Sequence, residues 1–170
     1  MAEAPQPPRK RYLTKAGFEK LREKFRWLLN EERPRVTREV TVAAAHGDRS
    51  ENYEYKLGKR KLREIDAQLY KLKKALEAYE VIDPATRPPS AKAFFGATVT
   101  VEDEDGNELE YQIVGSDELT ADFETPGGPR RISFEAPLGR ALLGKKAGDS
   151  AVVKRPAGEA CYEILEVRWL

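Results

Sequence analysis

The chain has 170 residues, room for one ordinary domain or two small ones, and 35% of them are charged. That charged share is high for a compact globule and suits a long, solvated helical element. One cysteine, Cys161, and one histidine, His46, exclude an intrachain disulfide and any zinc-type or multi-histidine cluster.

The net charge of +1 hides an asymmetry. Residues 9–80 carry 20 Lys/Arg against 12 Asp/Glu, a net of +8, and the remainder carries 10 against 17, a net of −7. The first part is therefore the one drawn to polyanions. No apolar stretch of ~20 residues and no signal-peptide core is visible, so the expectation is a cytoplasmic protein without membrane contact.

Residues 1–11 hold three prolines and three basic residues and read as a flexible tail. A hairpin domain is expected over 12–83. Thr14 can cap a helix beginning near Lys15, and Phe18, Leu21, Phe25 and Leu28 keep three-and-four spacing. Val36, Val40 and Ala43 resume the stripe. Pro34 between them removes a helix hydrogen bond and disfavours helix at Arg33, which predicts a kink or short break there.

The second arm has the cleanest period. Leu62, Ile65, Leu69, Leu72, Leu76 and Tyr79 alternate spacings of three and four, the pattern of a coiled-coil seam. Tyr55 extends it backward and Gly58 leaves a gap. Gly47 can supply the backbone angles of a reversal between the arms. Two helices joined so briefly pack antiparallel, giving a finger ~45 Å long at 1.5 Å per residue. Ala43, Ala44 and Ala45 make its tip slender.

Asp83–Pro84 and Arg87–Pro88–Pro89–Ser90 break the pattern, and 84–95 reads as a linker. A β-rich domain follows over 96–170. Ala97 to Val101, Leu109 to Val114, Ile132 to Phe134, Ala151 to Val153 and Tyr162 to Trp169 read as strands, with turns at Glu104–Asn107 and Gly127–Pro129. Pro137 can start a short helix through Leu143. Cys161 lies in an apolar run and is read as a core residue. The fold class is α+β.

Asp48 and Glu51 are the candidate chemistry. Three residues apart, they can share one side of a turn and a divalent cation through oxygen ligands. The same spacing also fits a capping-box variant that satisfies free helix N–H groups. Two carboxylates alone bind Mg²⁺ weakly, and the nearest further acid is Glu54. A self-contained nuclease is not indicated, whereas a site completed by a partner's ligands is chemically reasonable. Beyond the acids come Lys56, Lys59, Arg60, Lys61 and Arg63. Lys56, Arg60 and Arg63 share a face off the seam, either a solvated face or a contact surface for phosphates. Tyr53 beside them can stack on a base or pack on the hairpin. No base-reading motif is present.

The segment Gly47–Asp48–Arg49–Ser50–Glu51–Asn52–Tyr53–Glu54–Tyr55, with Lys61–Leu62–Arg63–Glu64–Ile65–Asp66, resembles the GreA/GreB transcript-cleavage factors, the GreB branch more closely. So do Tyr12–Leu13–Thr14 with Gly17, Glu32–Arg33–Pro34, Ile113–Val114–Gly115 with Asp117–Glu118, and the run from Ala136 to Lys145. The resemblance covers nearly the whole chain in order. It implies an N-terminal antiparallel coiled-coil hairpin and a C-terminal FKBP-like domain. It further implies that the hairpin enters the secondary channel of RNA polymerase. There Asp48 and Glu51 would hold a Mg²⁺ shared with the polymerase, which cleaves the 3′ end of backtracked RNA. Arg49, Ser50 and Asn52 would support the tip, and Lys56, Lys59, Arg60 and Arg63 would meet the RNA. Pro137, Leu138 and Gly139 would dock on the polymerase. The chain departs from the pattern at Ala136 (commonly Ser), Tyr53 (commonly Ala), Pro126–Pro129 and the Pro-rich start.

The alternative reading is a non-catalytic channel binder or inhibitor of the polymerase. An oligomerising coiled coil is a third, although a hairpin buries its seam within one chain and implies a monomer. Prolyl isomerisation is suggested by fold analogy alone.

Overall fold

The computed structural model describes residues 11–48, 51–86, 90–120 and 123–169. Residues 1–10 of the expected tail over 1–11, the tip residues Arg49 and Ser50, and Arg87–Pro89 of the linker lie outside the described residues. Two compact units result: Glu19–Ala78, and a second formed by Tyr79–Leu170 together with the chain's first 18 residues.

The helical unit contains most of α1 (Lys15–Trp27), a π-helical turn (Leu28–Glu32), α2 (Arg33–Ala44) and α3 (Tyr53–Ala78). At 26 residues, α3 is ~39 Å long. The break expected at Pro34 takes the form of the π turn just before it. The Arg33 N–H bonds to the Leu28 carbonyl, five residues back, and Arg33 itself stays helical at φ −60°, ψ −47°. A widened turn relieves the clash of the proline ring with the preceding carbonyls, so the arm continues.

Leu28, Val36 and Ile65 form the buried centre of the seam, flanked by Val40, Leu62, Leu69 and Leu72. Arg33 Nε bonds Asp66 Oδ1 at 2.7 Å across the arms, in keeping with the register that the seam sets. The supposed gap at Gly58 is a close contact instead. A methyl there would collide with Val40, so the missing side chain lets α2 and α3 approach near the tip.

Tyr79 leaves the seam, because α3 ends at Ala78 and β2 (Tyr79–Ile82) begins. It pairs in parallel with β1 (Arg11–Thr14), Arg11 opposite Tyr79 and Thr14 opposite Ile82. The hairpin domain was expected over 12–83; by their contacts Arg11 and both strands group with the second unit. Thr14 caps α1 as expected, its Oγ1 accepting the Gly17 N–H at 3.1 Å.

The second unit is built on a five-stranded sheet in the order β5-β4-β3-β7-β6. Its strands are β3 (Thr98–Glu102), β4 (Glu108–Val114), β5 (Arg130–Ser133), β6 (Ser150–Arg155) and β7 (Gly158–Arg168). All pairs are antiparallel except β4 with β5. Helix α4 (Pro137–Leu142) places Leu142 in a core with Ala97, Val99, Val101, Ile113, Ala151 and Ile164. Residues 90–95 are part of this unit and not a linker. Ala93 is fully buried, its N–H donates to Lys145 O at 2.6 Å, and Trp169 Nε1 donates to Ser90 O at 3.0 Å. Tyr12, Phe95 and Phe134 meet with ring centroids 5.6–5.9 Å apart and fasten β1 to the sheet.

Cys161 is exposed, against the expectation of a core residue. Ala160 is buried one residue earlier, so strand alternation turns Cys161 outward. The bulge that skips Leu165 resets the pattern only beyond Ile164.

Candidate functional site at the hairpin tip

The tip is built from backbone bonds inward. Helix α2 ends with Ala45 N–H donating to Val42 O at 3.1 Å and His46 N–H to Ala43 O at 3.2 Å. Gly47 then adopts φ +137°, a backbone angle that L side chains rarely tolerate, and turns the chain out of the helix. The Asn52 N–H donates to Asp48 O at 3.1 Å. Asp48 and Glu51 are both exposed.

Asn52 is the N-cap of α3. Its Oδ1 accepts the Tyr55 N–H at 3.0 Å, and its Nδ2 donates to Ala43 O at 2.6 Å. One side chain therefore satisfies a free donor of α3 and a carbonyl at the end of α2. Asn52 thus supplies a cap that the capping-box reading of Asp48 and Glu51 did not include. The signal was available, since Asn52 stands just before the periodic stretch that starts at Tyr55.

Among the described residues, no three His, Cys, Asp or Glu side chains come together as a metal-binding group. What the tip offers is two exposed carboxylates three residues apart.

Lys56, Lys59, Arg60 and Arg63 are all exposed along α3. Arg60 Nε bonds Glu64 at 3.1 Å, and Lys59 Nζ lies 6.0 Å from the Tyr55 ring centroid. An exposed i,i+4 pair contributes little and yields readily to a stronger anion. Lys61 points elsewhere, lining with Arg35 and Arg38 a groove floored by Val42, Ala43 and Leu57. Glu32 is held below the ordinary carboxylate range chiefly by its hydrogen bond from Arg35, with Lys61 adding to the effect.

The remaining candidates lie in the second unit. Pro137 is exposed at the start of α4, Leu138 is half-buried against the core, and Gly139 is buried. A methyl on Gly139 would strike the Ser133 carbonyl, so this glycine is first of all a packing requirement.

Two family models match most of the chain. "Transcription elongation factor, N-terminal" covers residues 11–81, and "Transcription elongation factor, GreA/GreB, C-term" covers 88–168. The chain belongs to the GreA/GreB family of transcription elongation factors. It is 44% identical over 158 residues to transcription elongation factor GreB of Yersinia pestis, which spans 93% of this chain and 88% of that protein. It is 41% identical to GreB of Neisseria meningitidis serogroup B, over 95% of each chain. Identity to transcription elongation factor GreA of Halorhodospira halophila is again 44%, over 92% of this chain and 96% of that one. Among solved structures, GreA factor homolog 1 of Thermus thermophilus aligns at 24% identity and a TM-score of 0.40, covering 94% of this chain and 99% of that one. For a GreA/GreB protein, the hairpin with its acidic turn and the curled sheet are the two expected parts. No helix among the described residues is long and apolar enough to cross a membrane.

Proposed function

We propose that this elongation factor binds bacterial RNA polymerase, places its hairpin tip in the enzyme's secondary channel and stimulates the polymerase's own Mg²⁺-dependent cleavage of backtracked RNA 3′ ends. One observation carries the reading. Asp48 and Glu51 are both exposed at the end of the hairpin, beside Asn52, which caps α3 and bonds to the other arm.

The donor set fits a shared ion. Asp48 and Glu51 supply hard oxygen ligands suited to Mg²⁺, but too few to hold it alone, so the remaining ligands belong to the polymerase. When bound, such an ion supplies a polarised water for phosphodiester hydrolysis. The chain's part is delivery. The seam stiffens the finger, the bond from Asn52 N–H to Asp48 O fixes the turn, and Asn52 ties the turn to both arms. Lys56, Lys59, Arg60 and Arg63 offer sequence-independent attraction to the RNA backbone. Pro137 offers an exposed docking residue on the second unit, with Leu138 and Gly139 shaping its support. The apolar seam is consumed within one hairpin, which favours a monomer in the complex. The protein is thus a cofactor of polymerase and not a nuclease.

The test is RNA cleavage in a stalled, backtracked elongation complex. Wild type accelerates cleavage, whereas Asp48→Asn and Glu51→Gln bind polymerase and do not. Unchanged cleavage with the double variant would sink the proposal. Polymerase binding by wild type with no metal-dependent cleavage would leave a non-catalytic channel-binding regulator.

A further inference from the structure

Tyr53 is 74% exposed, although it is a large aromatic side chain at the first position of α3, two residues beyond Glu51. Its neighbour Tyr55 is half-buried, with Lys59 against its ring. Among the described residues, none is placed over the Tyr53 ring in this way. Helical side chains lean toward the N-terminus, so a residue in the first turn of α3 leans toward the acidic tip.

Its position along the helix matters as much as its exposure. Residues 53, 56, 60 and 63 are spaced by three, four and three, which places Tyr53, Lys56, Arg60 and Arg63 on one stripe. At 1.5 Å per residue the cations follow the ring at roughly 4.5, 10 and 15 Å. An aromatic platform followed by a row of cations is the chemistry that holds single-stranded nucleic acid. The ring stacks on a base, and the cations track the backbone without regard to sequence. An acidic protein surface would be met by the cations alone, whereas the flat ring adds a face on which a base can stack.

We propose that Tyr53 is a positioning residue that stacks on a nucleobase near the 3′ end of the extruded RNA, holding the strand against the stripe beside Asp48 and Glu51. The assignment rests on the cleavage function proposed above. It adds a base-dependent contact to a site otherwise made of carboxylates and cations, and gives the strand a fixed starting point at the tip.

The experiment compares wild type, Tyr53→Ala and Tyr53→Phe in stimulated cleavage, with factor concentration varied. The backtracked complexes carry either normal RNA or RNA with an abasic residue at one of the 3′-terminal nucleotides. Alanine is a better helix former than tyrosine and the ring is exposed, so Tyr53→Ala keeps α3 intact. On normal RNA, Tyr53→Ala should raise the half-saturating factor concentration at least fivefold, and Tyr53→Phe should stay within twofold of wild type. At one abasic position, wild type and Tyr53→Ala should converge. Equal activity of Tyr53→Ala and wild type on normal RNA overturns the assignment. So does a penalty that persists at every abasic position, which would mean that the ring meets protein. Absence of stimulated cleavage by wild type overturns the parent function and this inference together. Loss of base dependence alone overturns only the role of Tyr53.

Discussion

The side-chain amide of Asn52 donates to the carbonyl of Ala43 at 2.6 Å and so joins the start of one arm to the end of the other. The same side chain caps α3 through Tyr55 N–H. Asn52→Ala should lose both bonds and cost about 1–2 kcal/mol. Asn52→Asp keeps the cap acceptor but cannot donate to Ala43, so it should fall between the two. Hydrogen exchange at the Tyr55 amide and thermal unfolding would rank the three proteins. An unchanged Tyr55 exchange rate in Asn52→Ala would refute the cap.

Glu51→Gln separates chemistry from folding. Glu51 is exposed and the cap lies elsewhere, so its stability should stay within about 0.5 kcal/mol of wild type. Stimulated cleavage should nonetheless be lost. A matching drop in thermal midpoint would point to a structural role for the carboxylate instead.

Glu118 locks the chain's first strand to the sheet domain. It is only 1% exposed and accepts hydrogen bonds from Thr14 N–H at 3.1 Å, from the Thr14 hydroxyl and from Gly115 N–H at 3.2 Å. Glu118→Ala would strand these donors and should destabilise by roughly 3 kcal/mol. Gly17→Ala should act on the same lock, because its methyl would enter the space of the Glu118 carboxylate. The double variant should cost less than the sum of the two singles, measured by denaturant unfolding.

Docking and packing can be told apart within α4. Gly139→Ala meets the Ser133 carbonyl and should lower stability by about 1–3 kcal/mol. Pro137 is exposed, and its replacement by a charged residue should weaken polymerase binding while changing the melting temperature little. If binding affinity is indifferent to Pro137→Asp, this end of α4 is not the docking surface.

The turn at Asp103 should make stability sensitive to acid. Its carboxyl is held below the ordinary range, first by the Asn107 backbone N–H, then by the Asn107 side-chain amide and the Asp105 N–H. A carboxylate favoured by the fold adds stability that is complete above its unfolded pKa of ~3.9 and is lost as pH falls through its lower folded value. Asp103→Asn should therefore flatten the dependence of thermal midpoint on pH below about 5. Parallel curves for the two proteins between pH 2 and 6 would rule this contribution out.

Much of this molecule was legible as pattern. The spacing from Leu62 to Leu76 implied the seam, and strand alternation located all five strands of the sheet, because both depend on periodicities that local sequence carries. Thr14 as a cap and Pro34 as an interruption followed from backbone chemistry at single residues. The acid pair was visible too, but its role was ambiguous, since capping and metal binding ask for the same side chains at the same spacing.

Tertiary structure decided what spacing could not. Tyr79 continues the helical period perfectly, yet it forms a strand, because pairing with Arg11 competes successfully with one more helical turn. Cys161 and Gly58 changed meaning through a neighbour in strand order and a neighbour across the seam. At the tip, the free helix donor could be met by any of several nearby polar side chains. Only the position of Ala43 on the opposite arm selects Asn52, whose amide can donate to one helix and accept from the other. Asp48 and Glu51 are exposed beside this amide.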